Sequence, residues 1–281
     1  MPPVLINGQY GDSISVQDRG LNYGDGIFET IAVVNSQPLL WKQHLHRLRL
    51  GCKRLKIFAL NWQQLQSEIA TLLVNQSNCV LKILITRGCG GRGYKITESV
   101  ITPNRILSLH PLPQYPKSWW ETGIQARLCH TKLAINPALA GIKHTNRLEQ
   151  ILASTEWNDP NIAEGLMQDT NDNWICGTKT NLFLIKDNTL LTPTLYNSGV
   201  KGVMRSVVIQ QAKLHGIKVI QRNINIVDIK QANNIFVTNS IIGIWPIKKL
   251  NGKMYPILMP LSFKFLYSDA IQKNKQCCKI I

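Results

Sequence analysis

The chain has 281 residues, 44% of them hydrophobic, and a mean hydropathy near zero, the balance of a soluble globular protein of one or two domains. No apolar run reaches the ~18–20 residues that a bilayer span needs. The 32 Lys+Arg against 16 Asp+Glu give a net charge of +16, which raises nucleic-acid binding as a first thought; but the basic residues are dispersed, with no Lys/Arg block interleaved with aromatics. The expected partner is therefore a small anionic molecule drawn by a positive field, with no specific nucleic acid and no membrane. The opening Met-Pro-Pro-Val-Leu-Ile-Asn-Gly lacks a basic stretch followed by an apolar one, so no signal peptide is expected and the cytoplasm is the default address. Seven cysteines, at 52, 79, 89, 129, 176, 277 and 278, form no Cys-x-x-Cys pair and no zinc spacing with histidines. They read as free thiols, with no metal.

In chain order, residues 3–10 and 28–41 read as strands around a glycine-rich turn. Residues 41–57 follow a helical period with Leu45, Leu48, Cys52 and Leu55 on one face, and 61–75 give a second helix. A buried-type strand at 79–87 runs into a loop at 88–93. Residues 104–110 form another strand before a Pro-rich stretch, 111–116, which is the best linker candidate. Beyond it come a strand at 123–130, an amphipathic helix at 144–157, and strands near 163–168, 181–186 and 189–192. A helix at 204–215 and strands at 217–222 and 234–238 follow. This alternation predicts an α/β (α+β) two-domain protein: a small N-terminal domain over 1–110, a linker over 111–118 and a larger C-terminal domain over 119–281. The tail from about Lys273 is basic and cysteine-containing, and is expected to fray.

Five segments are more polar or glycine-rich than their surroundings require. Asp18-Arg19-Gly20-Leu21-Asn22-Tyr23-Gly24-Asp25-Gly26-Ile27-Phe28-Glu29-Thr30 is either a plain hairpin or a site loop. His44-Leu45-His46-Arg47-Leu48 places Arg47 on a helix with an apolar opposite face; by itself it reads as solvated. In Ala140-Gly141-Ile142-Lys143-His144-Thr145-Asn146-Arg147-Leu148-Glu149-Gln150, Lys143 ends an extended stretch. It is either solvent-facing or, if buried, a nucleophile for aldehydes. Gly202-Val203-Met204-Arg205 opens a helix, aiming the amides of Val203 and Met204 at an anion. Thr238-Asn239-Ser240-Ile241-Ile242-Gly243 ends a strand in hydroxyl and amide side chains. Each of the last two is a cap or a turn when taken alone. Together with one arginine and one lysine they suggest a phosphorylated aldehyde cofactor.

In this order the segments resemble the fold-type IV PLP-dependent enzymes, the group containing branched-chain and D-amino acid aminotransferases and aminodeoxychorismate lyases. The resemblance runs from about residue 4 to about residue 250. Three stretches look most like the lyases: Ile85 through Tyr94, Leu139 through Gln150 and Thr238 through Pro246. The resemblance implies pyridoxal 5′-phosphate (PLP) carried covalently on Lys143. It also implies that Arg47, the amides of Val203 and Met204 and the hydroxyl of Ser240 bind the phosphate. Thr30 matches a threonine near the reacting group, where the aminotransferases usually carry another residue. A homodimer is implied, each site being completed by the neighbouring subunit. The activity implied is a β-elimination that converts 4-amino-4-deoxychorismate to 4-aminobenzoate and pyruvate, a step in folate synthesis. A D-amino acid or branched-chain aminotransferase, or a degenerate PLP-binding paralogue, is the alternative. Arg92 and Arg147 are expected at substrate carboxylates, since guanidinium forks match carboxylates bidentately; a structural role is the alternative for each.

One position departs from the pattern. Where the family carries Glu-Gly-Thr-x-x-Asn-Leu-Phe, this chain reads Cys176-Gly177-Thr178-Lys179-Thr180-Asn181-Leu182-Phe183. The family's glutamate stands beside the pyridine nitrogen, so Cys176 is expected there. A neutral thiol leaves the ring a weaker electron acceptor, whereas a thiolate (ordinary pKa about 8.5) would partly replace the carboxylate.

Overall fold

The computed structural model describes residues 3–96 and 101–257; the tail from about Lys273 lies outside them. The chain divides into two units, one formed by residues up to Pro113 with Ile142–Asn146, the other by Gln114–Gly141 with Arg147 onward. Among the described residues no helix is long and apolar enough to cross a membrane.

In the first unit, β1 (Val4–Ile6) and β2 (Gln9–Tyr10) form a hairpin. A short helix, α1 (Arg19–Tyr23), is capped by the Asp18 carboxylate and leads into β3 (Gly26–Val34). The stretch expected as one strand over 28–41 is interrupted. The chain turns at Asn35 and Ser36, both at positive φ, and resumes as β4 (Gln37–Pro38). Helices α2 (Trp41–Arg54) and α3 (Trp62–Leu72) follow, then β5 (Asn78–Thr86) and β6 (Asn104–His110). The strands make one antiparallel sheet in the order β2-β1-β6-β5-β3-β4.

Period-two alternation sends Ile27, Ile31 and Val33 of β3 and Leu81, Ile83 and Ile85 of β5 to one face. There they pack with Leu48 and Cys52 of α2 and Leu65, Ile69 and Leu72 of α3. Leu45 and Leu55 lie at the edge of this core, only partly buried. The buried stripe of α2 contains His44 where an apolar residue is expected.

Residues 142–146 join this unit by pairing with β3. Phe28 N donates to Lys143 O at 2.9 Å, and Thr145 N donates to Gly26 O at 3.0 Å. His144 bridges Ile27. Backbone groups committed to β3 cannot form helical bonds, so the helix expected from residue 144 begins later, as described next.

In the second unit, α4 (Ser118–Glu121), β7 (Ile124–Leu128), α5 (Leu148–Ser154), β8 (Ile162–Gln168) and β9 (Trp174–Gly177) come first. They are followed by β10 (Asn181–Lys186), β11 (Thr189–Thr192), α6 (Val203–Leu214), β12 (Val219–Gln221), α7 (Ile226–Gln231), β13 (Asn234–Asn239), β14 (Gly243–Leu250) and β15 (Lys253–Met254). The sheet order is β12-β11-β10-β13-β14-β7-β8-β9, with β15 on β14. Pairing of Asn181 with Cys176 joins β9 back to β10, so six strands close on themselves and leave no free edge there. The interior holds Leu166, Leu182, Leu184, Val237, Trp245 and Ile247.

Candidate active site

Lys143 and Thr30 meet the same strand. The Lys143 Nζ lies 4.2 Å from the centroid of the Phe28 ring. Phe28 and Thr30 are two residues apart on β3 and so point to one face, opposite the apolar core face of Ile27 and Ile31. Lys143, Phe28 and Thr30 are each half-buried. The lysine is thus set on an extended segment tied by backbone bonds to a sheet, which fixes where its amine stands better than a free loop would.

Arg47 reaches β3 from the core side. Its Nε and Nη2 donate to Glu29 Oε1 and Oε2 at 2.7 and 2.5 Å, a bidentate fork. His44 Nδ1 lies 2.6 Å from the same Oε2. A carboxylate only accepts, so Nδ1 carries the proton, while the buried Nε2 has no hydrogen-bond partner among the described residues. Glu29 is 1% exposed. Burial alone pushes its carboxyl up, but Arg47 and His44, by charge and by hydrogen bonds, hold it down at about 2. Burial lowers the His44 pKa, with Glu29 opposing. Neither Glu29 nor His44 stands out in the sequence as a site residue. The signal is a glutamate in the core phase of β3, among Ile27, Ile31 and Val33, and a histidine one turn before Arg47.

Arg92 stands exposed on the loop after β5.

In the second unit, α6 opens on Gly202, which has no side chain with which to cap the first amides of the helix, those of Val203 and Met204 among them. A Cβ on Gly202 would fall 1.9 Å from Asn181 Oδ1, so only glycine allows this approach of helix to strand. The amides left at such a helix start suit a phosphate. Arg205 turns away to Thr192 Oγ1, Pro193 O and Gln221 Oε1 and anchors the helix. Ser240 sits half-buried in the turn after β13, which Asn239 Oδ1 organises by accepting from the amides of Ile241 and Ile242, each at 2.9 Å.

Cys176 is buried, opposite Met167 on β8 and Asn181 on β10. Burial pushes its thiol up to about 12, Glu164 adds to this, and the nearby Arg147 guanidinium only partly opposes it. Burial and Glu164 thus favour the neutral thiol over a thiolate at this position. Arg147 precedes α5, and burial lowers its own pKa while Cys176 and Glu149 raise it. Glu164, fully buried on β8, does not replace the absent acid. Its Oε1 accepts from the amides of Gly165 and Thr178 and from the Thr178 hydroxyl, and its Oε2 from the Thr180 hydroxyl. Three of these four donors come from Thr178 and Thr180 and commit it to the 177–180 turn.

Within the first unit, an amine tied to β3 and an arginine on α2 are donors of the kind a phosphorylated aldehyde needs; within the second, a helix opening on glycine and a hydroxyl-bearing turn suit a phosphate. Residues 26–250 match the amino-transferase class IV family, and the chain belongs to it. It is 32% identical over 256 residues, 91% of this chain and 94% of the relative, to the aminodeoxychorismate lyase of Vibrio harveyi. The crystal structure of 4-amino-4-deoxychorismate lyase from Pseudomonas aeruginosa superposes with a TM-score of 0.91 at 39% identity, covering 96% of this chain and 98% of that one. A putative branched-chain-amino-acid aminotransferase of Methanocaldococcus jannaschii is 29% identical, over 89% of this chain and 88% of the relative.

Proposed function

We propose that this chain is a PLP-dependent carbon–oxygen lyase that converts 4-amino-4-deoxychorismate to 4-aminobenzoate and pyruvate. The observation that carries the reading is the Lys143 amine seated against Phe28 on the face of β3 that also bears Thr30. An amine and a hydroxyl there offer a base and a hydrogen-bond donor to one reacting region. Similarity to lyases over nearly the whole chain supports the same assignment.

PLP is the cofactor. Lys143 would hold it covalently, Arg47, the Val203 and Met204 amides and the Ser240 hydroxyl would take its phosphate, and Cys176 would lie by its ring nitrogen. When bound it supplies an electron-accepting ring conjugated to the substrate nitrogen. The Lys143 Nζ would act as the base that takes the proton from the carbon bearing the substrate nitrogen. The Thr30 hydroxyl donates to the enolpyruvyl oxygen as its bond to the neighbouring carbon breaks. The product ring becomes aromatic, and the released enolpyruvate takes up a proton to give pyruvate. Arg92 and Arg147 bind the substrate carboxylates.

The neutral Cys176 thiol favours elimination over transamination. It leaves the ring a weaker electron acceptor, and aromatisation drives the elimination in a way that amino-group exchange lacks. We read the enzyme as a homodimer of the cytoplasm; the free thiols at 52, 79, 89, 129 and 176 fit a reducing compartment.

Purified enzyme incubated with PLP and aminodeoxychorismate is expected to release 4-aminobenzoate and pyruvate in equal amounts. Amino-group exchange with keto acids and no 4-aminobenzoate would overturn the assignment in favour of an aminotransferase.

A further inference from the structure

Arg19 is buried at the start of α1, and its guanidinium spends most of its donors on one loop. Nη1 donates to the carbonyls of Gly91 and Gly93 at 3.3 and 3.0 Å, and Nη2 to that of Tyr94 at 3.1 Å. Nε donates to Asp25 Oδ2 at 3.3 Å, and Arg87 grips the same carboxylate with two donors at 2.6 and 2.9 Å. The Arg19 amide also donates to Gly88 O. A Cβ on Gly90 would lie 3.0 Å from Arg19 Cδ, so the loop backbone is laid against the arginine stem. Tyr23 adds a hydroxyl that accepts from the Gly93 amide at 3.1 Å and a ring set edge-on to Tyr94. At the crest of this loop Arg92 is exposed, and among the described residues no carboxylate pairs with it.

We propose that Arg19 is a positioning residue: it holds residues 88–94 as a preorganised arm and so sets Arg92 to take a substrate carboxylate. This rests on the lyase reading above.

The loop holds four glycines, at 88, 90, 91 and 93, and such a segment loses much conformational entropy on ordering. Three charge-assisted bonds from one buried fork offset that cost before substrate arrives, so the arm binds without first having to order itself. Only a guanidinium can do this. Its planar fork reaches three carbonyls and Asp25 at once, whereas a lysine ammonium is a single point donor group. Arg92 is the opposite case, an arginine at the crest with its charge in solvent. One arginine builds the arm and the other uses it.

The test is Arg19→Lys, with Arg92→Gln and the double variant. In Arg19→Lys, hydrogen exchange at the amides of 89–95 is expected to be about tenfold faster or more, the scale on which losing charge-assisted bonds acts. KM for aminodeoxychorismate is expected to rise about tenfold, with kcat within about threefold and PLP affinity unchanged, because the arm touches substrate and not cofactor. Adding Arg19→Lys to Arg92→Gln should raise KM little further, since both act through one guanidinium. Should Arg19→Lys not fold, Tyr23→Phe, which removes a single bond to the loop, is expected to give the same pattern at smaller size. Unchanged exchange in the loop, faster exchange with unchanged KM, or full additivity of the two arginine variants would each overturn the proposal. If wild-type enzyme does not turn over aminodeoxychorismate, the lyase reading falls and the role of Arg92 with it; the clamp is then decided by exchange rates, which need no substrate.

Discussion

Replacing Glu29 by glutamine tests the buried ion-pair cluster beneath β3. The carboxyl is held at about 2 against an ordinary value of 4.5, by Arg47 and His44 acting against burial. The folded value lies below the unfolded one, so ionisation stabilises the fold fully above pH 4.5. That contribution is lost as pH falls from 4.5 towards 2. The difference is worth about 3 kcal/mol at pH 7 and about 2 kcal/mol at pH 3.5. Glu29→Gln lacks the titration and removes the carboxylate that the Arg47 guanidinium, with its side chain 10% exposed, grips with two donors. Losing one partner of a buried pair costs about 3–5 kcal/mol. Urea unfolding followed by circular dichroism at pH 7 and pH 3.5 measures both effects. The variant is expected to be less stable by about 3 kcal/mol at pH 7, and its deficit should shrink by roughly 1 kcal/mol at pH 3.5. An equal deficit at the two pH values would mean that Glu29 does not titrate as the geometry requires.

Other outcomes follow from the site residues. Lys143→Ala is expected to abolish turnover and, after borohydride treatment, to yield no peptide carrying cofactor; a labelled peptide elsewhere would assign the linkage to another lysine. Arg47→Ala and Ser240→Ala should weaken PLP binding more than they slow turnover at saturating cofactor, with Arg47→Ala the larger effect, since hydrogen bonds to charged groups are worth roughly 1.5–3 kcal/mol each. Equilibrium dialysis showing unchanged affinity in both would remove the phosphate assignment. Cys176, with its thiol near 12, should resist alkylation by iodoacetamide at pH 8 in the folded enzyme. Cys176→Glu should change the spectrum of bound cofactor and raise amino-group exchange relative to elimination. If neither Cys176→Glu nor Cys176→Ala alters the spectrum or either rate, the residue does not lie at the ring.

Much of the architecture was legible in the sequence because its causes are local. Strands β6, β10 and β11 fall where alternation and flanking turns put them, and α3 and α6 where the helical period does. The ordered motifs carried the family, since each is a short run whose turn chemistry is written in adjacent residues. Other elements were not legible. Strand β9 is only four residues long, β14 contains Pro246, and the capped helix α7 is too short to show a period.

What the sequence alone determined is the fold class and the inventory of chemistry: a lysine after an extended stretch, a glycine before a helix, a cysteine where relatives have glutamate. Tertiary structure decided how those groups are held. Lys143 lies on an extended segment because residues 143–145 spend their backbone bonds on β3, and no local propensity records a partner more than a hundred residues away. Glu29 is ionised under the sheet because α2 delivers Arg47 and His44 to it. Cys176 is biased towards the neutral thiol because strand closure buries it near Glu164. Charge state depends on desolvation and on neighbours brought from distant parts of the chain, and only the folded packing fixes those.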